Sequence, residues 1–299
     1  MRHIIEAQQF GRDDLEELFG KADAREKSNE LPLKGKILAS LFYEPSTRTR
    51  FSFESAMIKL GGNVLTTENA KEFSSAIKGE TLEDSIKVVS NYADAIVLRH
   101  YEVGAAERAA HVSSVPVINA GDGAGQHPTQ ALLDAYTLKR ELGRIDGLRV
   151  MMIGDLKNGR TVRSLSYLLG KYRDIHIDLV SPPELRMGDD IKAYLTEHGV
   201  KYEEHEHFEG ILHQADAVYQ TRIQKERFTD VEEYQKFKGR YVLNPENTED
   251  MKEGAIVMHP LPRVDEIDPR LDLLPRAAYF RQTTYGLLVR MALLENVCR

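Results

Sequence analysis

A chain of 299 residues, 41% hydrophobic and 29% charged, suits two ordinary globular domains rather than one core. A formal net charge of −7 argues against nucleic acid or an anionic membrane as the main partner, although a basic pocket can still select small anions. No run approaches the ~18 apolar residues of a membrane span, Met1-Arg2-His3 leads into no signal-like stretch, and Cys298 alone excludes an internal disulfide, which together set the expectation of a cytoplasmic protein.

Short apolar runs alternate with helical patterns almost throughout. Strands are predicted over 36–42, 95–99, 115–119, 149–153, 176–180, 217–220, 255–258 and 278–280, and helices over stretches such as 81–92, 128–142, 161–171 and 190–198. This alternation implies an α/β fold of two doubly wound domains, each a mainly parallel sheet with helices on both faces. The longest helical stretch runs into Gly143-Arg144-Ile145-Asp146-Gly147, a natural junction. Domains are therefore placed at 1–143 and 144–284, with the amphipathic segment 285–299 returning to the first. Ligands of such sheets sit beyond the carboxyl ends of the strands. Ser46, Arg99, Asp155, Arg222 and His259 each follow a predicted strand closely.

The densest signal is Glu44-Pro45-Ser46-Thr47-Arg48-Thr49-Arg50, between the 36–42 run and a helix carrying Phe53, Met57 and Leu60 on one face. Free N–H groups and the positive dipole end at a helix start make an anion site. Hydroxyls and a guanidinium there suit phosphate oxygens. The bland alternative is that Ser46 only caps the helix and Arg48 and Arg50 are solvated.

Next comes the glycine-rich Gly121-Asp122-Gly123-Ala124-Gly125-Gln126-His127-Pro128-Thr129-Gln130, which brings His127 and Gln130 to the start of the long helix. The helix N-terminus favours a neutral imidazole at His127, suited to polarising a carbonyl; the alternative is a histidine satisfied within its loop. Arg99, at a strand end, points into the crevice or lies on the surface. Gly154-Asp155 through Gly159-Arg160 occupies the place of a dinucleotide fingerprint without its G-x-G-x-x-G spacing, and Lys157, Arg160 and Arg163 favour a carboxylate instead. No P-loop occurs, so neither a nicotinamide nor a P-loop ATP site is expected. Thr221-Arg222-Ile223-Gln224 follows another strand, and His259-Pro260-Leu261-Pro262-Arg263 fixes a backbone that can aim carbonyl oxygens into a site. The last two motifs also read as a solvated face and a rigid loop. Glu203-Glu204-His205-Glu206-His207 is read as a solvated segment rather than a metal site.

With these motifs in order, the chain resembles the aspartate/ornithine carbamoyltransferase family over essentially its whole length, on the aspartate branch. The resemblance implies transfer of the carbamoyl group of carbamoyl phosphate to the α-amine of L-aspartate, with no cofactor and no metal. By the same resemblance, Ser46, Thr47, Arg48 and Thr49 hold phosphate and Arg99 reaches phosphate and carbonyl oxygen. Thr49, Arg99 and His127 polarise the carbonyl, and Gln130 holds the carbamoyl amide. Ser74 and Lys78 belong to a loop lent to a neighbouring subunit of a homotrimer. Arg160 clamps the α-carboxylate of aspartate, Arg222 and Gln224 the β-carboxylate, and the Leu261 carbonyl meets the amine. A separate regulatory chain is a possible partner. Tyr101, Ala124-Gly125 and Asn158 depart from the family pattern, which has Pro, Ser-Asn and Tyr there. The ornithine branch carries Cys where Pro260 stands, and its cationic acceptor would be repelled by Arg222. A non-catalytic anion-binding subunit would have lost a ligand such as Arg48, Lys78, His127, Arg160 or Arg222, and all are present.

Overall fold

The structure, a computed structural model, describes residues 3–68, 79–224, 235–237 and 239–298. It divides into two compact units, Met1–Leu133 with Thr284–Arg299, and Asp134–Thr283. In chain order the first unit contains α1 (Arg12–Lys27), β1 (Ile37–Phe42), α2 (Thr47–Lys59), β2 (Asn63–Glu68), α3 (Leu82–Val89), β3 (Ala95–His100), α4 (Ala105–Val112) and β4 (Val117–Asp122). Helix α5 (Pro128–Leu142) leads into the second unit, which holds β5 (Arg149–Ile153), α6 (Arg160–Leu169), β6 (His176–Val180), α7 (Asp189–Glu197), β7 (Lys201–His205), β8 (Ala217–Gln220) and β9 (Ile256–Met258). Helix α8 (Arg281–Val297) brings the chain back.

Both sheets are wholly parallel, in the orders β2-β1-β3-β4 and β7-β6-β5-β8-β9. In each, the first strand laid down is central and the order reverses beside it. The crevice at such a reversal lies beyond the carboxyl ends of the adjoining strands. Those strands are β1 and β3 in one unit, β5 and β8 in the other.

Alternation along β1 shows how helices cover the first sheet. Ala39 and Leu41 pack with Leu82 and Ile86 of α3 and Ala105 and Ala109 of α4. On the opposite face the buried Ser40 hydroxyl donates to Glu54 of α2 at 2.9 Å. Helix α8 closes this unit as expected from sequence. Arg290 donates to the Ser52 hydroxyl at 2.9 Å, its guanidinium covers the Phe53 ring, and Glu295 pairs with Arg25 at 2.9 Å in a nearly buried setting. The second core gathers Met151, Ile153, Val180, Val218 and Val257 with Tyr241, Leu243, Ile267 and Tyr279 from the long connections.

The expected fold class holds, with three differences in its elements. Two edge strands, β2 and β7, carry alternations too polar to register as strands; their residues are mostly exposed or half-buried. The predicted strand at 278–280 does not form, because Ala277 makes only an isolated bridge to Val257 and the next residues enter α8. Its apolar character is explained by burial of Tyr279 in the second core. No helix among the described residues is long and apolar enough to cross a membrane.

Candidate active site

In the first unit, β1 ends at Phe42 and α2 begins at Thr47 with Ser46 as N-cap. The Ser46 side chain makes no capping bond. Its carbonyl accepts the first helical bond, from Arg50 N–H at 3.1 Å. The N–H groups of Thr47, Arg48 and Thr49 precede that bond, so they lack intrahelical acceptors. Ser46 thus holds the N-cap position without spending its hydroxyl on the helix. Thr49 is buried, Ser46 half-buried, and Thr47 and Arg48 exposed. Arg50 differs from Arg48. It pairs with Glu68 at 2.9 Å and lies over the Phe51 ring, which marks it as structural.

Arg99 stands where the β3–β4 register shifts, between Leu98 and His100. Such an irregularity re-aims a side chain. The Arg99 guanidinium donates to the Ala120 carbonyl at 3.3 Å and pairs with Glu44 at 2.9 Å, beside the β1 bend. Glu44 was not singled out from sequence, since its meeting with Arg99 depends on the β1–β3 pairing.

The glycine-rich loop is tied by Asp122. Its carboxylate accepts from Gly104 N–H at 2.9 Å, the Asn119 amide at 3.1 Å and Gln126 N–H at 3.0 Å. Gly123 has φ +52, and a Cβ there would lie 2.7 Å from the Tyr101 carbonyl oxygen. The loop thus folds tightly against β3 and delivers His127 and Gln130, 4% and 8% exposed, to the first turn of α5. Tyr101 stacks on His100 at 4.2 Å. Burial and, second, the Arg108 charge lower the pKa of His100 against the pull of Glu102, Asp122 and Glu44. Ser74 and Lys78 lie outside the described residues.

In the second unit, Gly154 follows β5 at φ +121, and a Cβ there would meet the Thr221 carbonyl oxygen at 2.3 Å. Glycine lets the two strand ends flanking the reversal touch. Thr221 closes that contact by donating its N–H and its hydroxyl to the Ile153 carbonyl at 2.8 and 3.0 Å. Asp155, fully buried, accepts from the Asn158 N–H at 3.0 Å and from its side-chain amide, so Asn158 is folded back onto its own turn. Gly159 caps α6 and would clash with the Asp155 carbonyl if it bore a Cβ, at 2.5 Å. Arg160, half-buried, is the first residue of α6. Of the other cations in this motif, Arg163 is bound to Asp190 at the start of α7 and Lys157 is exposed. Arg222 and Gln224, both half-buried, follow β8 directly; residues 225–234 lie outside the described residues.

Around Leu261 the structure adds residues that spacing could not reveal. Leu261 has φ +53, a left-handed conformation that is strained for a leucine, and its bond to Pro262 is cis. Its N–H donates to His259 Nδ1 at 2.7 Å, which fixes the proton of that ring on Nε2, 2.7 Å from Glu266 Oε1. His259 N–H donates to Gln282 at 3.0 Å, and Gln282 in turn donates to Asp134, which also receives the Tyr219 hydroxyl at 2.6 Å. All are almost completely buried. Burial pushes the Glu266 carboxyl up, but the His259 hydrogen bond and backbone N–H groups outweigh it and hold it below the ordinary 4.5. Arg263 is committed elsewhere, to Asp272 at 2.7 Å.

These features, arginines and acid-free helix starts at the carboxyl ends of two parallel sheets, are those of a protein suited to small anionic ligands. Residues 2–140 match the carbamoyl-P binding domain, and residues 146–297 the Asp/Orn binding domain, of the aspartate/ornithine carbamoyltransferases. The chain belongs to the aspartate/ornithine carbamoyltransferase family. It is 57% identical over 298 residues to aspartate carbamoyltransferase 2, chloroplastic, of Pisum sativum, covering 98% of this chain and 77% of that protein. It is 51% identical to the aspartate carbamoyltransferase catalytic subunit of Methanocaldococcus jannaschii, covering 99% and 98%. Among solved structures it matches the catalytic subunit of M. jannaschii aspartate transcarbamoylase with a TM-score of 0.92 at 50% identity, covering 99% of this chain and 98% of that one. It matches Trypanosoma cruzi aspartate transcarbamoylase in complex with carbamoyl phosphate and aspartate with a TM-score of 0.94 at 42% identity, covering 99% and 96%.

Proposed function

We propose that this protein transfers the carbamoyl group of carbamoyl phosphate to the α-amine of L-aspartate, giving N-carbamoyl-L-aspartate and phosphate, an early step of pyrimidine biosynthesis. The observation that carries this reading is the uncapped Ser46 bend, with Arg48 beside it, at the reversal of the first sheet. The substrate-bound T. cruzi relative supports the choice of substrates.

In this reading, residues 1–143 with 285–299 form the carbamoyl phosphate-binding domain and residues 144–284 the aspartate-binding domain. Ser46, Thr47, Arg48 and Thr49 hold the phosphate. Arg99, released from Glu44, reaches the phosphate and the carbonyl oxygen, which Thr49 and His127 also polarise, and Gln130 takes the carbamoyl amide. Arg160 grips the α-carboxylate of aspartate, Arg222 and Gln224 the β-carboxylate, and the Leu261 carbonyl accepts from the amine. The amine attacks the carbamoyl carbon, the C–O bond to phosphate breaks, and the departing phosphate accepts the amine proton. No protein nucleophile is required. Orienting the amine contributes roughly 7–11 kcal/mol, and each donor to the developing oxyanion about 3–4 kcal/mol.

Incubating the purified chain with labelled carbamoyl phosphate and either aspartate or ornithine tests the reading. Carbamoyl aspartate is the expected product; preferential carbamoylation of ornithine, or phosphate binding without turnover, would overturn it. We further propose a homotrimer in which Ser74 and Lys78 complete a neighbour's site. Mixing inactive Arg48→Ala and Lys78→Ala chains should then restore partial activity, and an inactive mixture would count against sharing. Light-scattering mass distinguishes that trimer from an assembly with a regulatory chain. A cytoplasmic location belongs to the same reading, with the chloroplast of the plant relatives as the alternative that fractionation would reveal.

A further inference from the structure

The second sheet carries a cluster of ligand-type side chains away from the reversal, on its β6–β7 edge. In the parallel register Arg149 lies opposite His176, Asp178 opposite Glu203, and Val180 opposite His205. Residues two apart on a strand share a face, so Arg149, His176, Asp178, Glu203 and His205 project together. Asp178 is fully buried and held by Arg149, whose Nε and Nη2 lie 2.7 Å from its two oxygens. His176 Nε2 lies 3.6 Å from Asp178 Oδ1 and 3.6 Å from Glu203 Oε1. That atom is buried and has no hydrogen-bond partner among the described residues. His205 Nε2 approaches the same carboxylates, 3.3 Å from Asp178 Oδ1 and 3.7 Å from Glu203 Oε2.

An imidazole nitrogen facing two carboxylates is stabilised by a cation at that position, a proton or a metal ion. Arg149 neutralises one of the two carboxylates, which leaves a formal negative charge. The spacing says which cation. Zinc bonds of about 2.0–2.2 Å in a tetrahedron place neighbouring ligand atoms about 3.3–3.6 Å apart. Measured separations between imidazole and carboxylate atoms run from 3.3 to 3.7 Å, and the ligand atoms of His176, Asp178 and Glu203 all lie within 4.8 Å of one another. Arg149 then plays the part of the outer partner that orients a ligating carboxylate. Glu203 is exposed and gives the ion a way in.

We propose that His176, Asp178 and Glu203 bind a divalent transition-metal ion, zinc by the chemistry of its donors, which clips the edge strand β7 to β6. From sequence alone, 203–207 reads as a solvated segment, because its partners His176 and Asp178 join it only through strand pairing. The site is structural and separate from the transfer chemistry.

Equilibrium dialysis of the chelator-stripped full chain against zinc chloride at neutral pH, with thermal melting in parallel, tests the proposal. One zinc per chain and a raised melting midpoint are expected. Glu203→Gln, an exposed substitution that preserves the fold, should weaken binding at least about tenfold and abolish the melting shift, as should His176→Ala. An absence of stoichiometric binding, or an affinity unchanged in both variants, would overturn the site and leave an ion-pair cluster with a protonated histidine.

Discussion

Helix starts among the described residues fall into two groups, and their contrast bears on the proposed site. Helices α1, α3, α4 and α7 carry acids in their first turns: Asp13 and Asp14, Glu83 and Asp84, Glu107, and Asp189 and Asp190. Helices α2, α5 and α6 carry none. A side-chain anion over the free N–H groups and positive dipole end of a helix stabilises it by about 0.3–1 kcal/mol. The first group takes that stabilisation from its own sequence; the second has no first-turn acid to do so, and these are the starts that follow Ser46, His127 and Gly159. Helix α8 also lacks an acid there, but its first residue is occupied by Glu141 at 2.7 Å. In the proposed reading, these are the starts at which an anion from outside binds.

The largest effect that could break this contrast is loss of the exposed arginine in the α2 start. Arg48→Ala should lower kcat roughly 10²–10³-fold while leaving the circular dichroism spectrum intact, in line with removal of a donor to developing charge. Near-normal turnover would take Arg48 out of the site. In the second unit, Arg222→Ala should raise the KM for aspartate by on the order of a hundredfold, the loss of a charge-assisted bidentate partner, with far less effect on the KM for carbamoyl phosphate. Equal changes in both constants would assign Arg222 a merely structural role.

A smaller effect concerns Leu261. Glu266→Gln should cost about 1.5–3 kcal/mol of stability at neutral pH, typical of a hydrogen bond to a charged group. The folded pKa of Glu266 is depressed, so its contribution is present above the unfolded value near 4.5 and is lost as pH falls through the lower folded value. The stability gap between wild type and variant, followed by denaturant titration, should therefore narrow below about pH 4.5; a constant gap would refute the linkage. Smallest of all, Asp13→Asn at the acid-bearing α1 should cost about 0.3–1 kcal/mol and leave activity unchanged. A loss of activity there would blur the two groups.

What the sequence disclosed followed from burial and order along the chain. Strands β1, β3, β5 and β8 are apolar because helices or connections cover both faces, so their runs were readable, and with them the polar residues just beyond their ends. Edge strand β4 was readable too, since Ile4 covers it through bonds to Val117 and Asn119. The uncovered edges β2 and β7 alternate exposed polar residues and escaped detection. Candidate site residues within one motif, such as Ser46 to Thr49 or His127 and Gln130, were legible by spacing. Pairings made by the sheet were not: Glu44 with Arg99, Asp134 with Gln282 and His259, and His176 with Glu203 join residues far apart in the chain. Nor could spacing show that Arg163 and Arg263 are held by Asp190 and Asp272.

Placing an acid where α2 leaves room for one tests the central claim most directly. In Thr47→Asp, the affinity for inorganic phosphate, measured by calorimetry, should fall at least roughly a hundredfold, because like charges ~4 Å apart at an effective dielectric of ~20 repel by about 4 kcal/mol. The melting temperature should stay level or rise as the helix gains its missing anion. Phosphate bound as tightly as by the wild type, in a folded variant, would contradict the account.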